Sequence, residues 1–228
     1  MVWRVIRAVV IDVDDTLCLT EAACFELEND VLARLGLPPM AREAHLATWG
    51  QPLHEAMPRR SPGLDLDAYL AVHPVVLREY VAAGRMDIVT EDNLAALGEL
   101  AAAGREVMVL TSRTEAEVEH LLAPGHALAG RFAAVYHAGN VRFCKPDPRA
   151  FDELLAATGL DPRQCLYVGD SPTDAQAANG AGLRFVACMQ SGIRRPADFG
   201  AYRVDAFIDT FPELVGAVAR LEGAARVS

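Results

Sequence analysis

Apolar residues recur along the chain in two rhythms. Residues 8–13 (AVVIDV) form a short β-branched run of the kind that makes a buried strand, and it passes straight into Asp12, Asp14 and Asp15. The rhythm then becomes helical. Cys24, Leu27, Val31, Leu32 and Leu35 repeat at helix spacing behind Thr20, a candidate N-cap, and Gly36 with Pro38-Pro39 closes the segment. A second helical region runs through His45. Gly50, Pro52, Pro58, Pro62 and Gly63 then predict loops. Asp65 is placed to cap a long helix with Leu66, Tyr69, Leu70, Val76, Leu77 and Tyr80 on one face, which Pro74 should kink or break.

From Thr90 onward strands and helices alternate. Strands are predicted at 107–110, 133–136, 165–168, 184–187 and 206–208, and helices at 91–103, 115–122, 148–158, 172–179 and 211–221. Such alternation implies an α/β fold: a Rossmann-like parallel sheet with helices on both faces. The stretch after the first strand holds only helices and loops. The expected organisation is therefore a core of residues 1–18 and 88–228 and an inserted helical cap of residues 19–87.

Composition narrows the function. A hydrophobic fraction of 52% in 228 residues supports a sizeable core, and 23% charged residues exclude wholesale disorder. The net charge of −10 repels nucleic acid and anionic membranes, so neither is an expected partner. A small anionic substrate is not excluded, because a local site or a metal overrides the global field. No apolar stretch is long enough to span a bilayer, and the N-terminal residues lack a signal-peptide cleavage pattern. Cys18, Cys24, Cys144, Cys165 and Cys188 are odd in number and show no metal-ligand spacing, which fits free thiols and a cytoplasmic location.

The candidate chemistry gathers at strand ends, where open α/β sheets bind ligands. Asp12 and Asp14 are two apart, so both carboxylates start on one face of the strand. Like charges this close call for a cation between them. Thr111 follows the second strand, Lys145 sits in C-K-P-D-P, and Asp170 and Asp174 lie in G-D-S-P-T-D after the fourth. Each has a plainer reading alone: a loop threonine, a surface lysine, a capping box completed by Asp174. All of them at the same end of one sheet, in this order, is far harder to reach by accident.

These residues resemble the haloacid dehalogenase-like hydrolase superfamily. Asp12-Val13-Asp14-Asp15-Thr16 matches its first motif, D-x-D-x-T. Thr111 matches the second, Lys145 the third, and Gly169-Asp170 with Asp174 the fourth. The resemblance covers essentially the whole chain. Its cap position is of the helical C1 type, and Gly50-Gln51-Pro52-Leu53 resembles an element of the branch near phosphoglycolate phosphatase and β-phosphoglucomutase. The likeness implies Mg²⁺ held by Asp12, Asp14 (through its backbone carbonyl) and Asp170 and supported by Asp174. It implies Asp12 as nucleophile and Asp14 as proton donor and acceptor. Thr111, Lys145 and backbone N–H groups near Ser112 would hold the phosphoryl group; Arg113, which is not part of the family's motif, is a candidate substrate contact whose plainer reading is a solvated loop arginine. The second aspartate argues for a phosphate ester and against a haloacid, since halide leaves without a proton and an alkoxide does not. The motif-two loop, Thr111-Ser112-Arg113, departs from relatives that carry Asn after the Thr or Ser.

The implied function is a Mg²⁺-dependent phosphatase for a small phosphorylated metabolite. The enzymatic rival is a phosphomutase of the β-phosphoglucomutase kind, which uses the same core residues. Two non-enzymatic rivals are a phospho-aspartyl receiver, which has no cap, and a metabolite-binding protein with a disabled site, against which the full set of core positions speaks. Arg42, His45, Trp49, His54, Arg59 and Arg60 are the cap's polar or amphipathic candidates for leaving-group contacts, although most such residues are ordinary surface or core positions.

Overall fold

The computed structural model of the chain describes residues 5–51 and 53–227. It divides into two compact units, Met1–Cys18 with Val89–Ser228, and Leu19–Ile88.

Among the described residues the first unit is built on six strands, β1 (Ala8–Ile11), β2 (Glu106–Leu110), β3 (Ala134–Tyr136), β4 (Cys165–Gly169), β5 (Arg184–Cys188) and β6 (Ala206–Ile208). All pair in parallel, in the order β3-β2-β1-β4-β5-β6. Ala8 stands opposite both Glu106 and Cys165, so β1 lies between β2 and β4. Side-chain alternation sorts the strands into two faces. Val9, Ile11, Val107, Val109, Leu166 and Val168 pack with α5 (Glu91–Ala102), α6 (Glu115–Leu122) and α9 (Glu213–Val227). Val10, Met108, Leu110, Tyr167 and Phe185 pack on the other face with α7 (Asp152–Thr158) and α8 (Pro172–Ala181). The parallel α/β architecture expected from the alternation is the one observed.

Local chemistry sets the helix starts. Thr90 Oγ1 accepts from the Asn93 N–H at 3.1 Å at the head of α5. Asn93 in turn donates its amide to the Leu17 carbonyl at 2.9 Å, tying α5 to the loop after β1. The Glu117 carboxylate accepts from the Thr114 N–H at 2.7 Å before α6. The residues expected as one helix from 148 begin instead as a 3₁₀ turn, Pro148–Phe151, and become α-helical at Asp152.

The second unit holds α1 (Glu21–Arg34), α2 (Arg42–Ala47), α3 (Leu53–Arg60) and α4 (Leu66–Ala82). Leu27, Val31, Leu32, Met57, Tyr69 and Val76 form its core. Thr20 occupies the N-cap position of α1 without a side-chain capping bond, whereas Asp65 caps α4 by accepting from the Ala68 N–H at 3.0 Å. Two sequence expectations are corrected here. The proline-punctuated stretch, expected as loops, contains α3 with Pro58 inside it, and of the kink or break expected at Pro74 the break does not occur, since α4 runs through it. A proline costs a helix about 3 kcal/mol. Burial of Tyr69, Val76 and Tyr80 on one side of α4 offsets that cost. Pro52 lies outside the described residues. Among the described residues no helix is long and apolar enough to cross a membrane.

Candidate active site

The strand order reverses beside β1. Successive strands run outward from β1 through β2 to β3, then from β4 to β6 on the other side, and ligands of open α/β sheets bind at the carboxyl ends of strands at such a point. Asp12 follows β1 and Asp170 follows β4, so the two centre strands each deliver a carboxylate there. The Asp12 N–H donates to the Val168 carbonyl at 3.0 Å, which fixes its backbone against β4. Beyond it the chain turns tightly. Asp15 is left-handed, with φ 56°, and its N–H donates to the Cys18 carbonyl at 2.7 Å. Aspartate is among the few residues that tolerate this region.

Asp12, Asp170 and Asp174 are all buried and each brings a carboxylate oxygen within 4.8 Å of the others. Lys145 enters this cluster from the loop after β3. Its Nζ donates to Asp12 Oδ1 at 2.8 Å, to Asp174 Oδ1 at 2.6 Å and to the Tyr167 hydroxyl at 2.9 Å. The phenol's single proton is shared between the Leu110 carbonyl at 3.0 Å and Asp174 Oδ1 at 3.2 Å. The other Asp174 oxygen accepts from the Ser171 N–H at 3.1 Å and the Ser171 hydroxyl at 2.6 Å, so both its oxygens are engaged. Gly169 makes this possible: a Cβ there would lie 2.5 Å from Asp174 Cγ.

The charges do not balance. Three buried acidic groups lie together with one ammonium, which bonds to two of them, Asp12 and Asp174, so the cluster carries an acidic excess. Burial pushes the Asp12 carboxyl up to about 7, with Lys145 opposing the rise and Asp174 and Asp14 adding to it. Burial also raises Asp170 well above the usual carboxylate range, and repulsion from Asp174, Asp12 and Asp15 adds to it. Burial disfavours the Lys145 charge, but Asp12 and Asp174 outweigh it and hold the ammonium well above its ordinary pKa.

Asp12 and Asp14 were expected to start on one face of a strand, but β1 ends at Ile11 and the two carboxylates take different partners, Lys145 for Asp12 and Arg113 for Asp14. Asp14 goes to Arg113, whose Nε lies 3.0 Å from Oδ2 and whose Nη2 lies 2.6 Å from Oδ1. Thr111 is buried at the end of β2, its Oγ1 accepting from the Arg113 N–H at 3.2 Å. Ser112 follows it and is exposed. The direct bonds of the acidic cluster run through Lys145, Tyr167 and Ser171. Tyr167 was missed by sequence reasoning. The available signal was one polar-tipped aromatic in an aliphatic strand, two residues before Gly169-Asp170.

Of the helical unit's candidates, His45 and Arg60 are buried within that unit. Arg60 Nη1 lies 2.5 Å from Glu28 Oε2, and His45 Nδ1 lies 3.1 Å from the same oxygen. Arg42 pairs with Glu21 and stacks on Phe25. His54 is exposed, and Arg59 donates to Gln51 at 3.0 Å.

A parallel α/β sheet with a buried carboxylate cluster at the carboxyl ends of its two centre strands is the framework of a hydrolase, and comparison with known proteins gives the family. Residues 9–188 match the haloacid dehalogenase-like hydrolase family, to which the chain belongs. The chain is 32% identical over 208 residues to protein CbbY of Rhodobacter capsulatus, covering 86% of this chain and 90% of that one. It is 28% identical over 214 residues to the phosphoglycolate phosphatase of Nitrosospira multiformis, covering 91% and 93%. It superposes on CbbY of Rhodobacter sphaeroides in complex with xylulose-(1,5)-bisphosphate with a TM-score of 0.74 at 25% identity, covering 92% and 96%. Within its family the chain is an enzyme of the phosphatase kind.

Proposed function

We propose that the protein is a Mg²⁺-dependent phosphatase that hydrolyses a small phosphorylated metabolite through an aspartyl-phosphate on Asp12. The observation that carries this reading is the buried cluster of Asp12, Asp170 and Asp174 around the single ammonium of Lys145. The donor set fits Mg²⁺: hard carboxylate oxygens, close together, with a charge deficit that a divalent cation would remove. Asp12, Asp170 and the Asp14 carbonyl would hold the ion. Asp174, with both oxygens engaged by Lys145, Tyr167 and Ser171, would support the set. When bound, Mg²⁺ would screen the repulsion between the substrate phosphate and the carboxylates.

The chain's own residues account for the rest. Lys145 and the Thr111 hydroxyl, with the backbone N–H near Ser112, would grip the phosphoryl oxygens. An Asp12 oxygen forms the new bond to phosphorus as the bond to the leaving oxygen breaks, and Asp14 gives that oxygen a proton. Water then attacks phosphorus, its proton passes to Asp14, and the bond to Asp12 breaks. Inorganic phosphate leaves and both aspartates return to their starting states. The names of the relatives suggest two substrates to try first, phosphoglycolate and xylulose-1,5-bisphosphate.

The test is release of inorganic phosphate from a panel of phosphorylated metabolites and p-nitrophenyl phosphate, with Mg²⁺ and with chelator. Wild-type protein should release phosphate only with the metal, and folded Asp12→Asn should release none. Isomerisation of a sugar phosphate without phosphate release would make it a mutase. Turnover by Asp12→Asn, with wild-type contamination excluded, would remove Asp12 as the nucleophile.

A further inference from the structure

We propose that Arg113 is a positioning residue for Asp14: its guanidinium aims the carboxylate for proton transfer, and its effect on the reaction passes through Asp14 alone. The inference rests on the phosphatase reading, in which Asp14 moves the proton, and adds a residue that reading does not need.

Asp14 lies beyond the end of β1, bridged to Cys18 within the turn that follows the strand, and its side chain is one-third exposed. Arg113 restricts the torsions of that side chain. Its Nε lies 3.0 and 3.2 Å from the two carboxylate oxygens, and its Nη2 lies 2.6 Å from Oδ1. A fork of this kind fixes the plane of a carboxylate as well as its place, which a lysine's point charge cannot do.

Arg113 is itself held. Its side chain is only 10% exposed. Its N–H donates to Thr111 Oγ1 at 3.2 Å, its carbonyl accepts from the Ala138 N–H at 2.8 Å, and Nη1 reaches the Glu117 carbonyl at 3.4 Å. The clamp therefore joins the loops after β1, β2 and β3, three strand ends of the same sheet edge. It also runs through Thr111, so the residue that would grip the phosphoryl group and the residue that would move the proton are set by one framework.

A guanidinium committed in this way to Asp14 is poorly placed to be a direct substrate contact, the role the sequence suggested for it. The two roles differ in what they change. A substrate contact acts on KM and works whether or not residue 14 carries a carboxyl group. A positioning residue acts on kcat and is silent once that group is gone.

The experiment is a double-mutant cycle on the full chain with Mg²⁺ and p-nitrophenyl phosphate: wild type, Asp14→Asn, Arg113→Gln and the double variant, with Arg113→Lys alongside. A misplacement of about 1 Å costs about 10²-fold in rate, so Arg113→Gln should lose about 10- to 100-fold in kcat. KM and the half-saturating Mg²⁺ concentration should stay within about twofold, since positioning leaves binding alone. Arg113→Lys should recover part of the loss and shows that the Gln result is not a folding failure. In the Asp14→Asn background Arg113→Gln should change kcat by less than about twofold, the sign of two residues acting as one unit. If steady turnover of Asp14→Asn is too slow to follow, the p-nitrophenol burst replaces it. Arg113→Gln should then show the same fast burst and slow second phase as Asp14→Asn.

A full Arg113→Gln loss that persists in the Asp14→Asn background overturns the proposal, as does a loss confined to KM or no loss at all. Wild-type turnover by Asp14→Asn would instead remove Asp14 from proton transfer, and the proposal with it. Absence of Mg²⁺-dependent phosphate release from the wild type would mark failure of the phosphatase reading itself.

Discussion

Adding one methyl group at Gly169 should dismantle the acidic cluster without touching a charged residue. The glycine has no left-handed backbone to protect; what it provides is room. A Cβ built there falls 2.5 Å from both Cγ and Oδ2 of Asp174 and 2.7 Å from its Cβ. Ordinary carbon contacts are about 3.5–4.0 Å, so Asp174 must retreat by about 1 Å. It has nowhere to go. It is fully buried, and its oxygens are bonded to Lys145 at 2.6 Å, Tyr167 at 3.2 Å and Ser171 at 2.6 Å. Overpacking alone costs about 1–3 kcal/mol. If Asp174 is driven off Lys145, the cost rises toward about 3–5 kcal/mol, because a buried charge loses its partner. Gly98 supplies the control. It lies in α5 with nothing within 4 Å of its would-be Cβ, so Gly98→Ala should gain about 0.5–1 kcal/mol. Urea unfolding of both variants, followed by circular dichroism, gives the comparison, with kcat for p-nitrophenyl phosphate measured beside it. Gly169→Ala should be destabilised and slow while Gly98→Ala is stabilised and fully active. A Gly169→Ala protein with wild-type stability and rate would refute the reasoning, since it would mean Asp174 can move without consequence.

Two further outcomes follow from the buried charges. In the helical unit Arg60 Nη1 contacts both Glu28 oxygens, at 2.6 and 2.5 Å, and its Nε donates to Thr48 Oγ1 at 2.7 Å, all out of water. Arg60→Met should lose about 3–5 kcal/mol by denaturant unfolding, and Arg60→Met with Glu28→Leu should recover much of it; a single variant within about 1 kcal/mol of wild type contradicts this. In chelator, Asp12 titrates at about 7 when folded against 3.8 in the reference state, so the folded form binds its proton more tightly. Its contribution should therefore make the metal-free protein less stable as pH rises from about 4 to about 7, with no further loss from this group above that. Asp12→Asn should lack that slope. Adding Mg²⁺ at pH 8 to about 100 times its Kd should raise wild-type stability by about 2.7 kcal/mol. A wild-type Tm indifferent to Mg²⁺, or pH slopes that match between wild type and Asp12→Asn, would count against the charge excess.

What the chain announces by itself is whatever its local pattern encodes. The β-branched runs at β1 and β4 and the alternation of strand with helix require only that neighbouring side chains face the same or opposite ways, so the parallel sheet was legible from periodicity. Asp12, Lys145, Asp170 and Asp174 were legible because each stands in a short motif beside a strand or helix end. Pattern misled at Pro58 and Pro74, where helix packing outweighs a local penalty that the sequence displays and a burial that it does not. Only the tertiary structure decided which side chains meet. Lys145 and Asp12 are 133 positions apart and Arg113 and Asp14 are 99 apart, separations at which no periodicity carries information. Tyr167, the clearance at Gly169 and the burial of Arg60 against Glu28 are of the same kind. Each is a statement about distance and solvent between segments remote in the chain, and those quantities exist only once the sheet and helices have packed.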